Sequence, residues 1–213
     1  MSYAVKEVYY TLQGEGAQAG RAAVFLRFSG CNLWTGRERD RHRAVCQFCD
    51  TDFVGTDGPG GGTFAFAAAL AEHVGKFWPE GAAGTPYVVC TGGEPALQLD
   101  HDLVAALHAR GFEVAIETNG TTALPAGIDW VCVSPKAGAE VVVTRGDELK
   151  LVYPQAEAGA QPEHFVSLDF AHFFLQPLDE ADGPDHTERV VAYCLAHPQW
   201  RLGVQMHKVV GIA

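Results

Sequence analysis

No run of about 18 or more uncharged apolar residues occurs in this 213-residue chain, so no segment reads as a membrane-spanning helix. The start, MSYAVKEVYY, has no basic stretch followed by an apolar one; no secretory leader is expected, and the sequence reads as a soluble cytoplasmic protein with no membrane contact. Positive charge is scarce. The 15 Lys and Arg against 26 Asp and Glu give a net charge of −11, which opposes the approach of nucleic-acid phosphates and points to a small-molecule partner. Repeats, low-complexity tracts and a defensible domain boundary are all absent, so residues 1–213 read as one domain, which at 47% hydrophobic residues can bury a sizeable core. The six cysteines are too unevenly spaced for a disulfide framework.

What is present is a local group of three cysteines. Cys31, Cys46 and Cys49 lie in FSGCNLW…VCQFCDT, and the apolar run and turn YVVCTGGEP follows about forty residues later. An iron–sulfur cluster closed by protein takes four thiolates, so three leave one iron open for a ligand. Cys46 and Cys49 have the spacing that brings two sulfurs to one metal unit in a single turn. Fourteen residues lie between Cys31 and Cys46, and a loop of that length adds only roughly 1 kcal/mol of closure entropy. The insertion, residues 32–45 with GRERDRHR at its middle, is charged and reads as a solvated excursion. Two other readings stand beside the cluster: a zinc site with a fourth ligand such as His42, and a CxxC redox pair, which leaves Cys31 unexplained. Cys90, Cys132 and Cys194 sit in apolar stretches and read as small core residues.

Short β-branched or aromatic runs alternate with helical patterns. Strands are expected at 22–28, 87–91, 112–118, 129–134, 148–153, 172–176 and 201–206, apolar enough to be buried on both faces of a parallel sheet. Helices are expected at 63–77, 96–110 and 185–197, with Thr63 as an N-cap, Pro95 in a first turn and Asp185 with Glu188 at capping-box spacing. GPGGG at 58–62 reads as a flexible connection. The order is α/β with right-handed crossovers. Helices are too few for an eight-unit barrel of ~250 residues, so the fold expected is an abbreviated, open partial TIM barrel with a mainly parallel sheet. Function in such barrels gathers at the C-terminal ends of the strands, where Gly30–Cys31, Thr91–Glu94, Glu117–Gly120, Ser134–Lys136 and Gln176–Pro177 fall. Paired glycines admit a ligand to the main chain, so Gly92 and Gly93 are candidates for the amino-acid end of a cofactor and Glu94 for its ammonium; a GGEP of this kind is otherwise an ordinary turn.

With LQGEG at 12–16, RFSGCN at 27–32, CQFCDTDF at 46–53, CTGGEP at 90–95, ETNGT at 117–121, SPK at 134–136 and QMHK at 205–208, the chain resembles a radical S-adenosylmethionine enzyme over nearly its whole length. Within that superfamily it looks like the ring-contracting enzymes of the 7-deazapurine pathway. Most of the superfamily uses CxxxCxxC, whereas this chain has Cys-x14-Cys-x2-Cys, a variant that a subset of these enzymes shares.

The resemblance implies a radical SAM-type partial barrel and a [4Fe–4S] cluster on Cys31, Cys46 and Cys49. It implies S-adenosyl-L-methionine held by Phe48, Cys49, Asp50, Gly92, Gly93 and Glu94, by Ser134, Pro135 and Lys136, and by the run Phe174, Leu175, Gln176 and Pro177. It implies Mg2+ on the hydroxyl of Thr51, flanked by Asp50 and Asp52. The substrate implied is 6-carboxy-5,6,7,8-tetrahydropterin, contacted by Leu12, Gln13, Gly14, Glu15, Arg27, Thr91, His207 and Ala213. The reaction implied is a radical ring contraction to 7-carboxy-7-deazaguanine with loss of ammonia, in queuosine-type biosynthesis. An electron donor such as flavodoxin or ferredoxin and a homodimer complete what the family suggests. Rival readings are a radical activase that makes a glycyl radical on a partner protein, and a non-enzymatic metal-binding module.

Overall fold

The N-terminal segment, to which sequence periodicity assigns no element, forms a ten-residue strand, β1 (Tyr3–Leu12). A bulge between Val5 and Glu7 breaks its alternation. Tyr3 and Val5 before the bulge and Val8 after it all reach the core, so the strand changes parity and has no simple period of two. The computed structural model describes residues 2–155, 157–179 and 183–212.

β1 is antiparallel to β2 (Ala22–Phe28) and to β3 (Gly62–Phe64). From β2 onward the sheet is parallel through β4 (Tyr87–Gly92), β5 (Glu113–Thr118), β6 (Trp130–Val133), β7 (Arg145–Tyr153), β8 (Asp169–Pro177) and β9 (Trp200–Leu202). The order is β3-β1-β2-β4-β5-β6-β7-β8-β9; β3 and β9 are the two edges, so the sheet stays open as expected. Among the described residues four α-helices accompany it: α1 (Ala67–Gly75), α2 (His101–His108), α3 (Thr187–Ala196) and α4 (Met206–Val210).

The central parallel strands are buried on both faces. On one face Val24, Leu26 and Phe28 pack with Leu70 and Val74 of α1 and Leu103 and Leu107 of α2. Farther along the sheet Leu149, Leu151 and Leu175 pack with Val190 of α3. The opposite, concave face carries a second small cluster, Ala23, Tyr87, Val89 and Ala115, against Phe25 and Trp130. Because side chains alternate along a strand, the next residues on the concave face toward the strand ends are Arg27, Thr91 and Glu117. The barrel is thus apolar below and polar at its mouth.

Several boundaries differ from the sequence expectations. Thr63 caps no helix: it lies in β3, and α1 starts at Ala67. Pro95 opens a 3-10 turn over Pro95–Leu97, and α2 begins afterwards with Asp100 as its cap, whose side chain accepts from the Leu103 amide at 3.0 Å. The strand expected over 201–206 stops at Leu202, and Met206 starts α4. GPGGG is docked rather than flexible, since Gly58 donates to the Lys6 carbonyl at 3.0 Å and Val8 to that of Pro59 at 2.8 Å. The insertion at 32–45 is also no loose excursion; its Glu38–Arg43 stretch is a 3-10 helix.

Candidate active site

The cysteine loop leaves the end of β2 and closes on itself, with Val45 donating to the Leu33 carbonyl at 3.0 Å. Trp34, Ala44 and Phe53 form a small core beneath it, against which Cys31 and Cys49 pack. Arg41 of the 3-10 helix ties the loop to the CxxC turn. Its Nη1 donates to the carbonyls of Gln47 (2.7 Å) and Cys49 (3.0 Å), its Nε to Glu38 (2.8 Å), and its guanidinium lies 4.2 Å from the centre of the Trp34 ring. Arg41→Ala removes two charge-assisted hydrogen bonds worth about 2 kcal/mol together at this partly exposed site. It is expected to leave three thiolate ligands in place but to speed iron loss to a chelator several-fold, measured as the rate of iron release.

The three thiols influence one another electrostatically. Cys46 beside it draws the Cys49 thiol below the ordinary thiol value, and Lys136 helps. Cys46 is driven up by Cys49 and by burial, and Cys31 is raised by burial. Among the described residues no three His, Cys, Asp or Glu side chains converge on a single ion. Mononuclear zinc needs such convergence, with each sulfur about 2.3 Å from one point. His42, its suggested fourth ligand, is exposed on the 3-10 helix. A cluster instead gives each thiolate its own iron, and three neighbouring thiols without a fourth fit that arrangement. Cys90 and Cys132 are buried in the sheet, and Cys194 lies on α3.

The GGEP turn packs against this loop. A side chain on Gly93 would meet the Gly30 carbonyl, with its Cβ 2.8 Å from that of Cys31, so the glycine is required by the close approach of β4's end to the cysteine loop. The Glu94 amide donates to the Gly30 carbonyl at 2.9 Å. The Glu94 carboxylate is fully buried and accepts from the Ala96 amide (2.9 Å), the Thr118 hydroxyl (2.6 Å) and the Asn119 amide (2.7 Å). It stands behind the glycines and pins the ETNGT segment, whose Asn119 side chain reaches Asn32 of the cysteine loop at 3.0 Å.

Two adjoining cavities open at the strand ends, of about 210 and 240 Å³. Phe48, Cys49 and Asp50 line the first together with Gly92, Gly93, Ser134 and Lys136, and Gln176 and Pro177 close its far side. The Lys136 ammonium donates to the Ser134 hydroxyl at 2.6 Å and lies 5.8 Å from the centre of the Phe48 ring. Pro135 is buried within that turn. The side chains of Phe174 and Leu175 point elsewhere, Phe174 into a separate apolar hollow at the β9 edge and Leu175 into the core.

Leu12, Gln13, Gly14, Glu15, Arg27, Thr91 and His207 all line the second cavity. Ala213 lies outside the described residues. Gly14 lets the C-terminal segment close over the cavity: a side chain there would strike the His207 ring, and its carbonyl accepts from the Met206 amide at 2.8 Å. Thr51 lines both cavities, and its hydroxyl has no hydrogen-bond partner among the described residues. The flanking acids are engaged, Asp50 by Lys208 (3.0 Å) and Asp52 by Lys6 (2.9 Å).

Sequence reasoning missed the wall between the cavities. Lys150 of β7 and Gln205 line both, as do Glu15 and Glu117. The Lys150 ammonium bridges Glu15 (2.5 Å) and Glu117 (2.8 Å). Burial alone would raise the Glu15 carboxyl, but Lys150, Gln205 and His207 hold it down to about 2. Burial opposes the charge on Lys150, yet Glu117 and Glu15 outweigh it and raise its pKa well above the ordinary lysine value. The signal for this wall was two charged residues, Glu148 and Lys150, inside the apolar strand ELKLVY.

No protein-family model matches the chain. Curated proteins named 7-carboxy-7-deazaguanine synthase match it over its full length and theirs, at 65% identity over 212 residues in Bordetella pertussis and 63% over 212 residues in Caulobacter vibrioides. The crystal structure of QueE from Escherichia coli superposes with a TM-score of 0.73 at 29% identity, covering 97% of this chain and 95% of that one.

Proposed function

The chain belongs to the family of 7-carboxy-7-deazaguanine synthases, enzymes of the radical S-adenosylmethionine superfamily, and from that premise we propose how its own residues divide the work. The reaction is the ring-contracting step that gives 7-carboxy-7-deazaguanine in queuosine-type biosynthesis, and the substrate we assign is 6-carboxy-5,6,7,8-tetrahydropterin. The observation that carries the assignment of residues is the pair of cavities sharing one wall, with the cysteine loop beside the first and Arg27, Gln13 and Glu15 around the second.

Cys31, Cys46 and Cys49 would hold a [4Fe–4S] cluster beside the first cavity, which would take S-adenosylmethionine. The chemistry these groups supply when bound is one-electron cleavage of the cofactor's sulfonium bond to a hydrogen-abstracting carbon radical. Phe48 offers its ring face to adenine, Ser134 and Lys136 donate to the cofactor's polar groups, and Gln176 contributes a buried, unpartnered carbonyl oxygen as acceptor. Thr51, whose hydroxyl is unpartnered, is the protein ligand for Mg2+, an ion that keeps most of its shell as water or substrate oxygens. Arg27 takes the substrate carboxylate, while Gln13 and Glu15 meet the ring edge. This places C6 near the shared wall and keeps other hydrogen donors away. A homodimer, a low-potential donor such as flavodoxin or ferredoxin, a single domain over residues 1–213 and a cytoplasmic setting complete the proposal. No helix among the described residues is long and apolar enough to cross a membrane. The glycyl-radical activase reading needs an open groove for a protein, whereas Arg27 and Gln13 line one small cavity.

Anaerobic turnover of the reconstituted protein with S-adenosylmethionine, reductant, Mg2+ and 6-carboxytetrahydropterin is expected to yield 7-carboxy-7-deazaguanine by mass. Formation of 5′-deoxyadenosine without that product keeps the radical chemistry and overturns the substrate.

A further inference from the structure

Three carboxylates and one ammonium meet in the wall between the cavities. Glu15 comes from the loop after β1, Glu117 from β5, and Glu148 and Lys150 from β7. Glu148 sits behind the others: it accepts from the Ala17 amide at 2.7 Å and from the Cys132 thiol of β6 at 3.6 Å, and burial together with Glu117 raises its carboxyl. From β8 the neighbour is the uncharged Gln176, and from α4 it is His207, which faces Glu15. The charge that decides how Glu15 and Glu117 present themselves is therefore that of Lys150.

The hydrogen bonds show which lone pairs remain. Glu15 Oε1 accepts from Gln176 (3.3 Å) and Gln205 (2.9 Å), and Oε2 from Lys150. Glu117 Oε1 accepts from Gln13 (3.1 Å), and Oε2 from Lys150. An ionised carboxylate has about four acceptor positions. At least one is left on each of Glu15 and Glu117, at residues that line the substrate cavity.

We propose that Lys150 is a positioning residue for the substrate: its ammonium, held between the Glu15 and Glu117 carboxylates, orients both so that their remaining lone pairs accept the N–H donors of the pterin ring. The proposal rests on the functional reading above and deepens it, adding Glu117 as a direct substrate contact and Lys150 as the group that acts through both acids. Without Lys150, two carboxylates 33 residues or more from it in sequence share a buried wall with no counter-charge, and one of them takes up a proton. A protonated carboxyl presents a donor where the ring also presents donors.

The test is equilibrium binding of 6-carboxytetrahydropterin to the anaerobic holoenzyme with S-adenosylmethionine and no reductant, from about pH 6 to 9. Wild type is expected to bind with flat pH dependence in that range. Lys150→Gln is expected to bind about ten- to a hundredfold more weakly at neutral pH and to recover as pH rises through the new carboxyl ionisation. Lys150→Arg keeps the charge and is expected to stay flat, which preserves a test if the glutamine variant fails to fold; a new ionisation in the arginine variant overturns the proposal. So does wild-type binding with an unchanged or uniformly weakened, pH-flat Lys150→Gln. A wild-type holoenzyme that binds no pterin overturns the reading of the cavity itself and this proposal with it.

Discussion

Alanine at Cys31, Cys46 or Cys49 is expected to abolish cluster assembly and cofactor cleavage, whereas Cys90→Ala leaves both in place. The first three thiols surround one small loop and perturb one another, and Cys31 and Cys49 pack on its miniature core. On the proposal that these three thiolates are the whole protein ligand set of the cluster, removing one leaves an iron without an anchor. Cys90 is fully buried and lies on the helix-facing side of β4, within the large apolar cluster. Its loss costs about 1 kcal/mol of packing and touches no ligand. Iron and sulfide per chain, with 5′-deoxyadenosine formed per cluster, check the pattern. A Cys90→Ala protein without iron, or a Cys46→Ala protein with four irons and normal cleavage, would overturn the ligand assignment.

The contrast between those cysteines explains what was legible in the chain. Ala22–Phe28 was read with its observed bounds because a strand buried on both faces is a continuous apolar run, and the turn motifs at the strand ends are local in sequence. Those signals placed the open α/β barrel, and the seven described residues that the family resemblance named for the substrate all line the second cavity. β1 was missed because its bulge shifts the parity of the pattern. That same shift sets Glu7 and Tyr9 beside Arg27. The insertion was taken as solvated because its charges dominate its composition. Folding spends Arg41 on Trp34 and two backbone carbonyls, contacts invisible to composition.

The wall between the cavities was the least readable part. Lys150 and Glu15 are 135 residues apart, and Glu117 and Gln13 are 104 apart. Nothing local announces either pair. Glu94 shows the converse. Its motif was conspicuous, yet the role of its carboxylate depends on Thr118 and Asn119, which only the β4–β5 pairing brings to it. A reading of residue types therefore names groups near the chemistry more securely than it assigns each group's partner.

Arg27→Ala is expected to raise the KM for 6-carboxytetrahydropterin about a hundredfold with iron content unchanged, the scale of a buried, hydrogen-bonded charge pair losing one partner. Arg27 points into the second cavity from the end of β2. Its Nε is held by Glu7 (2.7 Å) and its Nη2 donates to the Tyr9 hydroxyl (2.9 Å), while Nη1 has no hydrogen-bond partner among the described residues. The guanidinium is thus fixed in orientation with a donor to spare for a carboxylate. Losing the Glu7 pair itself costs about 1 kcal/mol at most, since the Glu7 side chain is 25% exposed and water takes over. A change in KM far larger than the change in thermal stability therefore separates substrate binding from scaffold damage. Arg27→Lys keeps the charge but loses the planar fork and its grip on Glu7 and Tyr9, so it is expected to recover only part of the affinity. Steady-state kinetics on holoenzymes matched for iron decide the matter: an Arg27→Ala enzyme with wild-type KM removes the proposed salt bridge, and one that loses iron makes Arg27 a support of the cysteine loop instead.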